Sequence, residues 1–293
     1  MILSKNKRTT AIVLLIIIEL VLAVGIAFTN GAVEKHESIK EMMRDAVLHE
    51  ENKINLFGLA VNPSLVAGFV VTAIILLFAL IVRIFVIPRF KNVPGKFQLV
   101  LETWVGFFEN LAKTNSPHSN GFLGAYIFAT GTYVFTGTLF ELFGVQVLTT
   151  EGHSISLPAP LADINGAIMM GCLSYLVILA GGIKNNKLRG VGLTLKEFSL
   201  PLSMSFRLFG ALLSGMLVTE LIYFTLGLSI LLPVVVGVMF TLLHALIQAY
   251  VLTLLTAIFY GEVSEPPKPK EKKEKKSNKE KTDGTPAEAM QEA

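Results

Sequence analysis

The stretch PLSMSFRLFGALLSG, residues 201–215, places one arginine, Arg207, inside a long apolar run. A guanidinium keeps its proton in practically any protein environment, and lipid excludes a lone charge. At the helical offsets i+3, i+4, i+7 and i+8 from Arg207 stand Gly210, Ala211, Ser214 and Gly215, and Ser203 lies at i−4. One helix face therefore carries a cation in a groove of small residues, which let another backbone approach closely. The pattern leaves two readings open. Either this is a packing face with Arg207 paired to an internal carboxylate, or it is a fixed positive charge presented to a partner helix.

The surrounding chain is built the same way. Of its 293 residues, 52% are apolar and 16% charged, against about 25% charged in ordinary soluble domains. The mean hydropathy is +0.61. Residues 263–293 hold 8 of the 25 Lys and Arg, so the net charge of +3 averages a basic tail with a nearly neutral body. Apolar runs near the membrane-spanning length of about 20 residues recur along the rest. A soluble enzyme and a single compact domain are both excluded as readings.

The expected fold is an all-α polytopic membrane protein with five to six crossings. The first run, residues 10–28, follows Lys5, Lys7 and Arg8. It reads as a retained helix rather than a signal peptide cut after Ala27, because it exceeds the usual 7–15-residue apolar core. Glu19 lies near its centre. Residues 1–29 thus form an N-terminal unit, and 30–61 a polar segment on the outer side with a helix-like stretch at 33–49. A second span covers about 63–87 and ends in Arg83, Arg89, Lys91 and Lys96, a cytoplasmic signal. Residues 97–111 repeat apolar side chains at helical spacing and read as an amphipathic helix lying at the interface.

A third span covers about 121–143, followed by an outer loop, 144–161, without Lys or Arg. A fourth, about 164–183, leads into Lys184, Lys187, Arg189 and Lys196. Two helical runs close the membrane domain of residues 62–262, at about 195–226 and 229–260. Each is some 30 residues long, roughly 45 Å at 1.5 Å per residue, against a hydrocarbon core of about 30 Å. Such helices must tilt strongly, bend or project. Residues 263–293 are rich in Pro, Lys and Glu and read as a disordered cytoplasmic tail.

Few other ionisable groups interrupt the spans. His244 and Gln248, four residues apart, share one face of the last run, with Thr241 a turn earlier. Glu141 closes span three, Asp163 and Asn165 open span four, and Asp163 has the placing of a helix N-cap. Glu197 and Ser199 sit at the inner start of the Arg207 helix. The one cysteine, Cys172, excludes an internal disulfide framework and reads as a small core residue. The chain carries no nucleotide-binding loop and no metal-ligand spacing, so neither a cofactor, a metal nor an active site of its own is expected.

Taken together these residues resemble subunit a of the F-type ATP synthase, the membrane stator of the Fo rotary motor. The resemblance runs from about residue 62 to 261 through NPSLVAGFVV (62–71), VPGKFQLVLE (93–102), PLADIN (160–165), PLSMSFRLFG (201–210) and LIQAYVLTLLTAIF (246–259). It implies that Arg207 is the essential arginine and Gln248 the glutamine facing it. It implies a ring of c subunits whose carboxylates pass Arg207, with Gly210, Ala211, Ser214 and Gly215 packing toward that ring. Subunit b, the other synthase subunits and the lipid bilayer complete the expected partners, with no nucleic acid, in a bacterial plasma or inner membrane.

An outer half-channel for ions, H⁺ by expectation, would use Glu141, Asp163, Asn165, Glu220, His244 and Gln248. An inner one would use Glu197, Ser199 and Ser203. The sequence departs from the commoner pattern at Ala211, where asparagine is usual, and at Met216, often acidic. Thr241 stands where His or Glu is common, and Thr138 where asparagine is. These departures place the remodelling on the outer route. The rival reading is a secondary transporter with Arg207 binding an anionic substrate, which calls for internal repeats; the two halves show none.

Overall fold

A computed structural model describes residues 54–56, 58–118, 120–148, 154–224 and 232–266. The readings on 10–28, 33–49 and the tail beyond 266 lie outside the described residues.

The chain enters through a hairpin of β1 (Ile54–Leu56) and β2 (Leu59–Val61), paired antiparallel with Asn55 opposite Ala60. Gly58, at φ 88°, makes the turn, a conformation that suits a residue without a Cβ. Helix α1 (Pro63–Ile81) follows. Its first turn is fixed locally: the Asn62 side chain accepts from the Ser64 backbone N–H at 2.9 Å, and Pro63 occupies the first helical position, where no N–H is needed. A π-turn (Val82–Val86) and a 3-10 turn (Ile87–Arg89) end it around Pro88.

Helix α2 (Lys96–Asn115) is the expected amphipathic helix. It buries Phe108 and Ala112 and turns Phe97 and Val100 outward. The Trp104 indole donates to Thr132 Oγ1 at 3.1 Å and so ties α2 to α3 (Gly121–Phe140). A 3-10 turn (Glu141–Phe143) and Gly144 at φ 55° stop α3. A second hairpin follows, β3 (Gln146–Leu148) and β4 (Ser154–Ser156), with Val147 opposite Ile155. The fold is mostly helical, as expected, with these two short hairpins in addition. Both lie in segments where period-2 apolar positions flank a turn, too short for a hydropathy window to register.

Helix α4 (Ile164–Lys196) corrects two boundaries. The chain stays helical past 183 and then reverses at Lys187, whose φ of 49° and ψ of −130° are non-helical. The arm after Lys187 returns along the arm before it. Gly190 lies so close to Gly182 that a Cβ on Gly190 would collide with the Gly182 carbonyl, and the Tyr175 hydroxyl donates to the Thr194 carbonyl at 3.0 Å. Residues 195–226 are therefore not one helix. Leu195 and Lys196 end α4, and the Arg207 helix, α5, spans Ser199–Phe224. The last helix, α6, spans Leu232–Ser264; its 33 residues extend about 50 Å.

The core sits where α2, α3, α4, α5 and α6 meet, around Phe108, Leu123, Ile127, Ile178, Met204, Leu208 and Tyr260. Small residues set the spacing. Gly131 on α3 faces the Phe108 ring and Thr253, and Gly181 on α4 receives the Tyr260 ring. That is how helices hold together where lipid gives no hydrophobic drive. Hydroxyls inside the bundle satisfy themselves on the preceding turn, as Thr138 does on Val134 O at 2.8 Å and Thr256 on Leu252 O at 2.8 Å. Large apolar side chains such as Leu76, Met169 and Met239 face outward, as a lipid-exposed surface requires. Cys172 also faces outward and is not the core residue expected.

Among the described residues four helical segments are long and apolar enough to cross a membrane: Pro63–Arg89, Gly121–Phe143, Ile164–Lys196 and Val235–Ser264. The first stands apart from the rest. Only its hairpin end is buried, at Ser64, Ala67 and Val71, against Phe140 and Leu157. Toward the basic end α1 leans away and leaves a lateral gap of about 1340 Å³ lined by Phe69, Leu76, Tyr133, Met169 and Leu173.

Candidate functional site

Helix α5 divides cleanly into two faces. Met204, Leu208 and Leu212 are buried against the bundle. Ser199, Ser203, Arg207, Gly210 and Ser214 are exposed, and Ala211 is partly so. A Cβ built on Gly210 would meet nothing within 4 Å. Among the described residues no ion pair is made to Arg207. Arg207 thus shares the exposed face of α5 with these small residues.

Contacts fix the level of Arg207 in the bundle. On α4 and α6, Gly181 meets Tyr260 and the Asn185 amide donates to the Ser264 carbonyl at 3.3 Å. Both pairs are offset by 79 residues. The same offset puts Gly171 level with Tyr250. Gly171 in turn touches Ser205 and the Pro201 carbonyl of α5. Arg207 therefore comes level with the Gln248–Tyr250 stretch of α6. Gln248 itself is only 5% exposed and points into the bundle, while Arg207 points out. The two share a level without a hydrogen bond between them.

Two turns further along α5, Gly215 faces His244: a Cβ on Gly215 would lie 3.4 Å from His244 Nδ1. Here the end of α3 and the sides of α5 and α6 enclose a cleft. Thr138 and Glu141 come from the end of α3, Leu212 and Gly215 from α5, and Phe240, Thr241 and His244 from α6. Its volume is about 20 Å³, enough for one water where polar partners exist. Glu141 and His244 were expected on one route, and the fold brings them to one cleft. Thr138 and Thr241, two of the four positions that depart from the commoner pattern, line it as well.

The other expected residues are placed elsewhere. Asp163 is the N-cap of α4: its carboxylate accepts from the Gly166 backbone N–H at 3.3 Å and from the Asn62 amide at 3.2 Å. It joins the start of α4 to the start of α1. Asp163 and Asn165 border the lateral gap and do not line the Glu141 cleft. Glu197 caps the end of α4, with its backbone N–H on the Thr194 carbonyl at 3.0 Å. Ser199 and Ser203 follow it on the exposed face below Arg207, one turn apart. The backbone of Glu220 lies in α5, and its side chain is outside what is described.

Sequence reasoning missed Leu212 and Phe240 as cleft residues, and the Phe240 and His244 rings stand with centroids 5.7 Å apart. It also missed the polar ties Tyr126–Ser174, at 2.8 Å, and His118–Ser264, at 3.0 Å. The partners are 48 and 146 residues apart, so no local spacing signals them. Among the described residues no group of His, Cys, Asp or Glu could hold a metal.

The sequence model of the family described as ATP synthase A chain matches residues 65–261. The chain belongs to this family. A curated relative, ATP synthase subunit a of Cereibacter sphaeroides, is 26% identical over 179 residues, which covers 57% of this chain and 69% of the relative. The matched region begins in α1 and ends in α6, so it contains the exposed arginine face, the cleft and the lateral gap. As a member of the ATP synthase A chain family the protein is a multi-pass membrane component of the CF(0) sector. It serves ion transport in ATP synthesis as part of the stator and works together with other ATP synthase subunits. Membership also sets aside the secondary-transporter reading.

Proposed function

We propose that Arg207 is the fixed cation that a ring of c subunits passes, and that this chain holds one ion half-channel on each side of it. The observation that carries the reading is the α5 face. A permanent charge is exposed on the outside of a membrane-embedded bundle, among Ser203, Gly210 and Ser214, with no counter-ion among the described residues. An exposed, unpaired guanidinium facing lipid is costly, so the face calls for a partner that brings a carboxylate.

The electrostatics then give a cycle. A ring carboxylate facing lipid must be neutral, hence protonated. Next to Arg207 its charged form is favoured: at about 4 Å and an effective dielectric near 20 the attraction is about 4 kcal/mol. The proton leaves toward one side, and the ring turns. A proton entering from the other side reloads the carboxylate before it returns to lipid. Arg207 stands between the two routes and repels a cation that would cross directly. Each proton moving down 100 mV supplies about 2.3 kcal/mol.

The entry route is assigned to the cleft of Glu141, Thr241 and His244, with Gln248 at its inner end, level with Arg207. Glu220, on the same helix as Gly215, joins this route. Asp163 and Asn165 border the lateral gap, and Asp163 contributes by joining the start of α4 to Asn62 before α1. The exit route follows Ser203, Ser199 and Glu197 along α5. Both termini lie in the cytoplasm with six crossings, and the long α5 and α6 tilt to follow the ring. The lateral gap, apolar and open to lipid, seats a membrane helix of subunit b.

Disulfide trapping tests the reading. Ser203→Cys or Ser214→Cys, in a chain with Cys172→Ser, should cross-link to a cysteine placed one turn from the c-subunit carboxylate. Met169→Cys, on another outward face, should not. Equal cross-linking from Met169→Cys would remove the assignment of the α5 face to the ring.

A further inference from the structure

His244 closes the run FTLLH, residues 240–244, which puts Phe240 and Thr241 at i−4 and i−3 from it, on the same face of α6. Long side chains of a helix lean back toward its N-terminus, over the residues three and four positions earlier. The imidazole accordingly comes against the Phe240 ring: the centroids are 5.7 Å apart and the planes meet at 44°. Both rings line the cleft with Thr138, Glu141 and Thr241.

The facing helix gives the imidazole less to lean on. Its Nδ1–Cε1 edge looks toward the backbone of Gly215 on α5, where an added Cβ would stand 3.4 Å from Nδ1 and 3.6 Å from Cε1. No side chain projects from α5 at that point. A working histidine is ordinarily oriented by a hydrogen bond to one of its ring nitrogens. Among the described residues no side chain makes such a bond to His244. The aromatic ring one turn away is therefore the group that bears on it.

We propose that Phe240 is a positioning residue of the entry route, whose ring keeps the His244 imidazole turned into the cleft. This rests on the reading in which protons pass through that cleft. Proton transfer needs heavy atoms within hydrogen-bond reach, directly or through one water. The cleft holds about 20 Å³, room for a single water, so a swing of the imidazole about its two side-chain torsions breaks the chain of hydrogen bonds. Phe240 limits that swing. It touches no proton itself and acts only through His244.

The test measures proton uptake by inverted membrane vesicles carrying the assembled synthase, in Phe240→Leu, Phe240→Tyr, His244→Ala and the double variant Phe240→Leu with His244→Ala. Phe240 is 39% exposed, so leucine replaces one outward apolar side chain by another and opens no core cavity. Phe240→Leu should lower uptake about fivefold, within the roughly 100-fold that a misplacement of about 1 Å can cost. Phe240→Tyr keeps the ring and should recover most of that loss. In the His244→Ala background, Phe240→Leu should cost nothing further, because the two side chains act as one unit. An equal loss in both backgrounds would overturn the proposal and leave Phe240 with packing alone. So would normal uptake in Phe240→Leu beside a defective His244→Ala, a result that leaves the route itself standing. Normal uptake in His244→Ala would remove the route and the proposal together.

Discussion

Gly215 on α5 lies directly against the imidazole of His244 on α6, where an added Cβ would stand 3.4 Å from Nδ1. That distance is the limit of ordinary van der Waals contact. Behind it lies the cleft that also holds Thr138, Glu141 and Thr241. The missing side chain is what leaves the cleft open.

A graded series at this position tests whether the cleft conducts. Gly215→Ala should be tolerated, since a methyl group just fits. Gly215→Leu should fill a space of about 20 Å³ and lower proton uptake by inverted membrane vesicles at least about tenfold, with the complex still assembled. Proton uptake is read from the quench of an acridine dye. Normal uptake in an assembled Gly215→Leu complex would move the route elsewhere.

His244→Ala removes the one imidazole among the cleft residues. Histidine is the side chain whose ordinary titration falls nearest neutrality. The ATP synthesis rate as a function of pH on the hairpin side should therefore change shape. ATP hydrolysis by the detached soluble sector should be unchanged. An unaltered pH–rate curve in the assembled variant would leave His244 with packing alone.

Gly181 tests the packing account. The Tyr260 ring, 1% exposed, occupies the space where a Cβ would be. Gly181→Ala should overpack the α4–α6 contact and cost about 1–3 kcal/mol, read as a lower unfolding temperature of the purified chain. Gly192→Ala, where a Cβ meets nothing within 4 Å, is the control and should not lower it.

Lys187 tests the reversal of α4. A non-glycine residue at φ 49° and ψ −130° stores strain of order 1–3 kcal/mol. Glycine adopts this region freely but costs about 0.4–1 kcal/mol through the unfolded chain. Relief of the strain outweighs that entropic cost, so Lys187→Gly should stabilise by about 1 kcal/mol, and Lys187→Val should destabilise. Equal stability of the two variants would mean that the reversal carries no strain.

The parts of this fold legible in sequence are those written in one segment. Asn62–Pro63 announces the start of α1, the period of Trp104, Phe107 and Phe108 gives the amphipathic α2, and the spacing around Arg207 gives the small-residue face. The features that escaped depend on distant segments. The α4 reversal rests on Gly182 meeting Gly190 and on the Tyr175–Thr194 tie, and an apolar run shows neither. Cys172 sits in an apolar run, but a run that is hydrophobic on every face does not say which face meets lipid. Of the polar candidates, Glu141 and His244 converge. Asp163 is taken up as a cap between α1 and α4, a role that its place before the helix already allowed.

The most direct measurement of the central claim is ATP synthesis by membranes carrying Arg207→Ala in a correctly assembled complex. The account predicts that synthesis driven by an imposed proton gradient falls to background, because the ring carboxylate no longer meets a charge that favours its ionised form. Arg207→Lys should also be defective, since an ammonium desolvated against the ring can lose its proton and lacks the planar fork. Synthesis at a near-normal rate by the assembled Arg207→Ala complex would contradict the account.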